Sequence, residues 1–197
     1  MSWLLALLLA RSASRTMRRC ARGWWLLAAA SAAAPGGCAA LEEPPSPAAP
    51  AVGQVVRVID GDTIVVRADG ERLTVRLLGI DTPETHGGPV ECGGSAASHH
   101  LARIAPAGSR VRLVTDPGSG ETRDRYGRLL AYVDGRRGDL GERLLRAGLA
   151  YVYRYRGRRF SRLARYARAE DDARAQRRAT WSGCAGDFHS GRRGRQP

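Results

Sequence analysis

Between Val52 and Ile80, branched apolar residues come in short runs, Val55–Ile59, Thr63–Arg67 and Leu73–Ile80, broken by Asp60-Gly61 and Asp69-Gly70. Val, Ile and Thr suit the pleated, half-buried surface of a strand, and Asp-Gly suits the tight turn of a hairpin. The pattern predicts a three-strand meander. Gly94–Ile104 (GSAASHHLARI) predicts a short helix stopped around Pro106. Arg110–Thr115 then alternates as a fourth strand, and Arg128–Val133 makes a fifth before a further turn at Asp134-Gly135. Beyond it, Leu140, Leu144, Leu145 and Leu149 form one stripe within Asp139–Ala150. Phe160, Leu163, Ala164 and Tyr166 or Ala167 repeat at helical spacing along Arg159–Arg178, where Ala and Arg also favour a helix. Trp181 is expected to pack this last helix against the strands.

Five short strands, one inserted helix and two following helices predict a mainly β fold with α (α+β), a five-stranded OB-fold barrel with three helices. The folded domain is expected over 52–184, followed by a basic, disordered tail over 185–197. Ahead of it, residues 1–38 have the character of an address. The apolar run Trp3–Ala10 is followed by five arginines and then by a second run, Gly23–Ala34, and neither run reaches the roughly 18–20 residues that span a bilayer. Read from Met17, Arg18-Arg19-Cys20-Ala21-Arg22 is a basic n-region and Gly23–Ala34 an apolar h-region, so Met17 is the expected start. Gly36-Gly37-Cys38 resembles a lipoprotein cleavage site, although Pro35 stands where leucine is usual. Lipid anchoring through Cys38, simple secretion and cytoplasmic residence all stay open, the first two making the chain extracytoplasmic. Residues 39–51 form a Pro-rich linker. Cys92 and Cys184 remain as an even pair, either a disulfide in an oxidising space or two buried thiols.

Charge narrows the partners. The formal net charge is +13, and every basic residue is arginine. Residues 51–197 keep 27 arginines against 17 acidic residues, an excess that favours polyanions such as nucleic acid or an anionic membrane surface.

The candidate chemistry sits at the turns of the meander. Asp60 and Asp62 share strand parity, though Asp60 also reads as the first residue of an ordinary Asp-Gly turn. Arg76 stands between Val75 and Leu77, an odd place for a charge without a partner. Asp81 lies five residues further on, so an undistorted strand would point the two side chains to opposite faces. Gly79 is the expected site of the bulge or close approach that lets both serve one site. Thr82-Pro83-Glu84 turns the chain away at the strand end. Carboxylates of this kind are hard-cation ligands, and an arginine fork grips phosphate. Arg123-Asp124-Arg125-Tyr126-Gly127-Arg128 then enters the fifth strand, where Arg128 would supply a second guanidinium and Tyr126 a hydroxyl.

The strings IDGDT, RLLGIDTPE and RDRYGR, in this order and spacing, resemble the staphylococcal nuclease (thermonuclease) family, as do GLAYVYRY and the Arg/Ala-rich helix before Trp181. The resemblance covers Val52–Trp181. It implies an OB-fold barrel with three helices, and Ca2+-dependent cleavage of DNA and RNA by a monomer. It implies metal ligands at Asp62, Asp81 and the Thr82 carbonyl, with Glu84 positioning or deprotonating the attacking water. Arg76 and Arg128 match the phosphate-binding arginines, and Tyr126 and Tyr153 the nucleotide-binding tyrosines. Which of Tyr151, Tyr153 and Tyr155 fills the last role is open by a register. The rival readings are a catalytically inactive nucleic-acid-binding module and a barrel that holds Ca2+ for structure alone.

Overall fold

The computed structural model describes residues 51–86 and 88–189. The chain divides into units Met1–Glu42 and Glu43–Pro197, and every described residue lies in the second. The expected signal segment with Cys38, the linker up to residue 50, and residues 190–197 fall outside the described residues.

The elements run β1 (Ala51–Val58), β2 (Thr63–Ala68), β3 (Glu71–Leu77), β4 (Ile80–Asp81), α1 (Gly94–Ile104), β5 (Arg110–Val114), β6 (Leu129–Gly135), β7 (Gly138–Asp139), α2 (Leu140–Arg146), β8 (Tyr151–Val152), α3 (Leu163–Ala175) and α4 (Thr180–Gly183). β1, β2 and β3 form the antiparallel meander, and β5 pairs with both β1 and β6. A parallel pairing of β3 with β6, Val75 opposite Leu129 and Leu77 opposite Ala131, closes the sheet into a five-stranded barrel of OB type. Closure leaves these strands few open edges. A bulge in β1 between Val55 and Arg57 supplies local bend.

Inside, Val55, Ile64, Val66, Val75 and Leu77 pack beneath the helices, and Leu101 of α1 with Leu140, Leu144 and Leu145 of α2 cap them, all at most 2% exposed. Each such side chain contributes about 1.5–3 kcal/mol relative to exposure. Asp139 caps α2 by accepting from the amides of Gly141 and Glu142. The same carboxylate accepts from the Tyr166 hydroxyl and from Arg162 and Arg165, which docks α3 onto α2.

Several boundaries differ from expectation. The strand expected over Leu73–Ile80 ends at Leu77 and restarts as β4 after Gly79. The last long helix begins at Leu163 rather than Arg159, because Ser161 gives its amide to Asp116. Its buried face is Tyr166, Ala169 and Ala173, whereas Ala164 faces water. The expected disordered tail is corrected at its start: Phe188 is 5% exposed and packs on Trp181, 4.8 Å between ring centres, and on Tyr151, 5.2 Å.

Candidate active site

The loop from β1 to β2 sets the floor of the site. Ile59 and Asp60 both donate backbone amides to the Thr63 carbonyl, and Asp60 Oδ1 accepts from the Asp62 amide at 3.2 Å. Asp60 is thus a turn residue that also borders the cleft. Gly61 lets this loop lie against the next one, since a Cβ there would come within 2.5 Å of Thr82 Oγ1. Thr82 uses that closeness: its amide and hydroxyl donate to Asp62 Oδ2 at 3.1 and 3.2 Å. Across the β2–β3 ladder Thr63 faces Arg76, and the Leu77 amide donates to the Asp62 carbonyl. That register brings the Arg76 guanidinium into contact with Asp62.

Gly79 resolves the parity problem. Its φ of +82° breaks the strand, and its bare Cα lies under the Phe160 ring, 2.7 Å from where a Cβ would be. The break rotates Asp81 back toward Arg76, and Arg76 Nη2 donates to Asp81 Oδ1 at 2.5 Å. Three carboxylates, Asp60, Asp62 and Asp81, therefore share the neighbourhood of one guanidinium. The Asp62 carboxyl is pushed up to about 7 on balance: burial raises it most, Arg76 opposes the rise, and Asp60 and Asp81 add to it.

This donor set fits a hard divalent cation. It carries excess negative charge, and its atoms are carboxylate and carbonyl oxygens. Among the described residues no three His, Cys, Asp or Glu side chains form a metal-holding group. A cation here would be held by Asp62, Asp81 and the Thr82 carbonyl, with water completing the shell.

The floor opens into a cleft of about 800 Å³, whose rim includes Glu84, Arg128, Tyr126, Tyr153 and Tyr155. Glu84 is held by its backbone: its amide donates to Glu91 Oε2 at 2.8 Å, and its carbonyl accepts from the Glu91 amide at 2.9 Å. Opposite, Asp124 organises the Arg-rich loop. Burial opposes its charge, but the Arg128 guanidinium and the amides of Arg128 and Tyr126 outweigh burial and hold its carboxyl below the usual range. Arg128 is thereby fixed at the cleft, its guanidinium over the Tyr126 ring at 5.4 Å from the ring centre. Tyr126, 67% exposed, lies beneath the guanidinium of Arg125.

The tyrosine run divides by register. Tyr151 pairs with Asp81 across β4 and β8, and its hydroxyl donates to Asp81 Oδ2 at 2.7 Å. Tyr153 and Tyr155 stand exposed in the cleft. The sequence offers Tyr151 only as one of three candidate nucleotide-binding tyrosines, and it gives no role to Glu91 or His189, which also approach this site. Tyr151 and His189 lie 70 and 108 residues from Asp81, so no local spacing announces them. Glu91 gave only one signal, a carboxylate next to Cys92. Cys92 itself is joined to Cys184 by a disulfide, with their Cα atoms 5.9 Å apart.

Comparison with known proteins identifies the family. Residues 74–183 match the family described as staphylococcal nuclease homologue. A thermonuclease from Staphylococcus hyicus is 38% identical over 131 residues, covering 66% of this chain and 75% of that protein. A thermonuclease from Staphylococcus intermedius is 49% identical over 81 residues, 40% of this chain and 46% of that one. Endonuclease YncB of Bacillus subtilis is 45% identical over 104 residues, 49% of this chain and 47% of that one. The chain thus spans three-quarters of one relative and about half of the other two. With more than half of its length matched, the chain belongs to the staphylococcal nuclease homologue family.

Proposed function

We propose that this chain is a Ca2+-dependent nuclease that hydrolyses phosphodiester bonds of DNA and RNA with little sequence specificity. The observation that carries the reading is the Arg76 guanidinium, bound to Asp62 and Asp81 at the floor of a cleft that Glu84 and Arg128 also line. A phosphodiester is anionic, so attack by water needs charge neutralised before and during bond formation. When bound by Asp62, Asp81 and the Thr82 carbonyl, Ca2+ would supply Lewis-acid charge to a phosphate oxygen and to water.

The chain's own residues would do the rest. Arg76 and Arg128 would bind non-bridging phosphate oxygens and favour the pentacoordinate transition state, where negative charge is greatest. Glu84, fixed through its backbone to Glu91, would orient the attacking water or take its proton. Tyr126 and Tyr153 would hold the flanking nucleotides, since stacking on an aromatic ring is tolerant of base identity. The surplus arginines, including Arg154, Arg158 and Arg159, would track the backbone. The Cys92–Cys184 bond fits an oxidising, extracytoplasmic compartment, and we take the protein to act there as a monomer, either released or anchored through Cys38.

Plasmid digestion with Ca2+ or with EGTA tests this. Wild type is expected to cut only with Ca2+. Glu84→Gln should lower the rate by about 10²–10⁴, and Arg76→Ala by about 10²–10³. Cutting that persists in EGTA, or is untouched by removing Arg76, would overturn the mechanism. Binding without cutting would leave a nucleic-acid-binding module.

A further inference from the structure

The segment after α4 returns to the candidate active site and touches it at both acidic ends. Cys184 is bonded to Cys92, next to Glu91, and His189 follows five residues later. The intervening chain is built to hold a fixed course. The Asp187 amide donates to the Cys184 carbonyl at 2.9 Å, and the His189 amide donates to Asp187 Oδ1 at 3.1 Å. Phe188 anchors it by burial between Trp181 and Tyr151. The His189 ring then stands edge-on to Tyr151, 5.3 Å between centres and at 84°.

The hydrogen bonds of that ring run in two directions. Tyr151 gives its single proton to Asp81 Oδ2, which leaves its oxygen to accept from His189 Nε2–H at 2.5 Å. His189 Nδ1 lies 3.3 Å from Glu91 Oε2, the same oxygen that accepts from the Glu84 amide, and it donates to that oxygen when the ring carries both protons. One imidazole therefore spans from the partner of Asp81 to the carboxylate that holds Glu84. The ring is partly buried, its side chain 28% exposed, so these contacts are only partly open to exchange with water.

We propose that the disulfide-tethered segment Cys184–His189 completes the active site, with His189 as a positioning residue. It fixes Tyr151 against Asp81 and Glu91 against the Glu84 backbone. This rests on the nuclease reading above and adds to it a dependence on the oxidised state of the chain. In this reading His189 bonds no phosphate oxygen; it acts through Tyr151 and Glu91 and through its own 3.5 Å approach to Asp81 Oδ2. Reduction of Cys92–Cys184 frees the segment, and the ring leaves with it.

Kinetics and calorimetry on the full chain test the proposal. Steady-state constants on a fluorescent oligonucleotide, and Ca2+ affinity without substrate, are compared for wild type, His189→Ala, His189→Gln, the Cys92→Ser/Cys184→Ser pair, and that pair combined with His189→Ala. His189→Ala should lower kcat about 10-fold and weaken Ca2+ about 10-fold, as loss of a ligand's hydrogen-bond partner does. KM should hold within about 2-fold, because the tyrosines and arginines that bind the polymer are untouched. His189→Gln should recover part of the loss, since its amide N–H can still donate to one of the two oxygens. The cysteine pair should match His189→Ala, and adding His189→Ala to it should cost nothing more, because both act through one segment. Wild-type kcat and Ca2+ affinity in His189→Ala, or losses that multiply in the combined variant, would overturn the proposal. A wild type that binds Ca2+ but cuts nothing would sink the nuclease reading instead, and the calorimetric comparison would still decide the role of His189.

Discussion

Gly79 shows how much one backbone conformation carries. Its φ of +82° is left-handed, which costs an L side chain about 1–2 kcal/mol, and the Phe160 ring occupies the space a Cβ would need. Gly70, in the β2–β3 turn, has the same φ but open space around it. Gly70→Ala should therefore cost about 1–2 kcal/mol, read from denaturant unfolding, and leave the site intact. Gly79→Ala should cost about 2–5 kcal/mol and also lower nuclease activity, because Asp81 would rotate away from Arg76. Equal losses of stability in the two variants would show that Phe160 yields and that the break in the strand is not held by packing.

At the scale of elements, α2 and α3 are joined by charge as much as by apolar contact. Arg162 bonds Asp134 of β6 and Asp139 at the start of α2. Hydrogen bonds from Arg162 hold the Asp134 carboxyl below its ordinary value of 3.8, against the opposing effect of burial. A lowered folded value means that the stabilisation is fully present above pH 3.8 and is lost as pH falls through the lower, folded value. Asp134→Asn should thus cost about 1–2 kcal/mol at neutral pH, and its thermal midpoint should converge on that of wild type as the solution is acidified below 3.8. A gap that stays constant with pH would mean that Asp134 titrates alike in both states. The elements themselves were largely legible. α1 spans the expected Gly94–Ile104, because its period and the following Pro106 are local signals. The meander was equally plain from its Asp-Gly turns. β8 and the packed Cys184–His189 segment were not, because each is ordered by a partner far away in sequence: Ile80 and Asp81 for β8, and Cys92 for the segment. The candidate site divides the same way. Asp62, Arg76, Asp81 and Glu84 are close enough in sequence to be read together, whereas Tyr151, Glu91 and His189 join them only through tertiary contacts.

For the molecule as a whole, the surplus of arginine sets how it meets a polymer. With a net charge of +13, binding of single-stranded oligonucleotide by Glu84→Gln should weaken linearly in log–log form with salt, by about 0.7 per phosphate neutralised. Arg158 and Arg159 both line the cleft, so removing the pair should flatten that slope by about one to one and a half. A slope unchanged by their loss would mean that the polymer runs elsewhere. The barrel's closure has a different consequence, in the order of synthesis. β3 needs β6, whose Leu130 pairs with Arg76 from 54 residues later, and Asp81 waits for Tyr151, 70 residues later. A ribosome adds roughly 5–20 residues per second, so the acidic half of the site exists for several seconds before the strands that shape it. The growing chain carries every carboxylate of a nuclease long before it can be one.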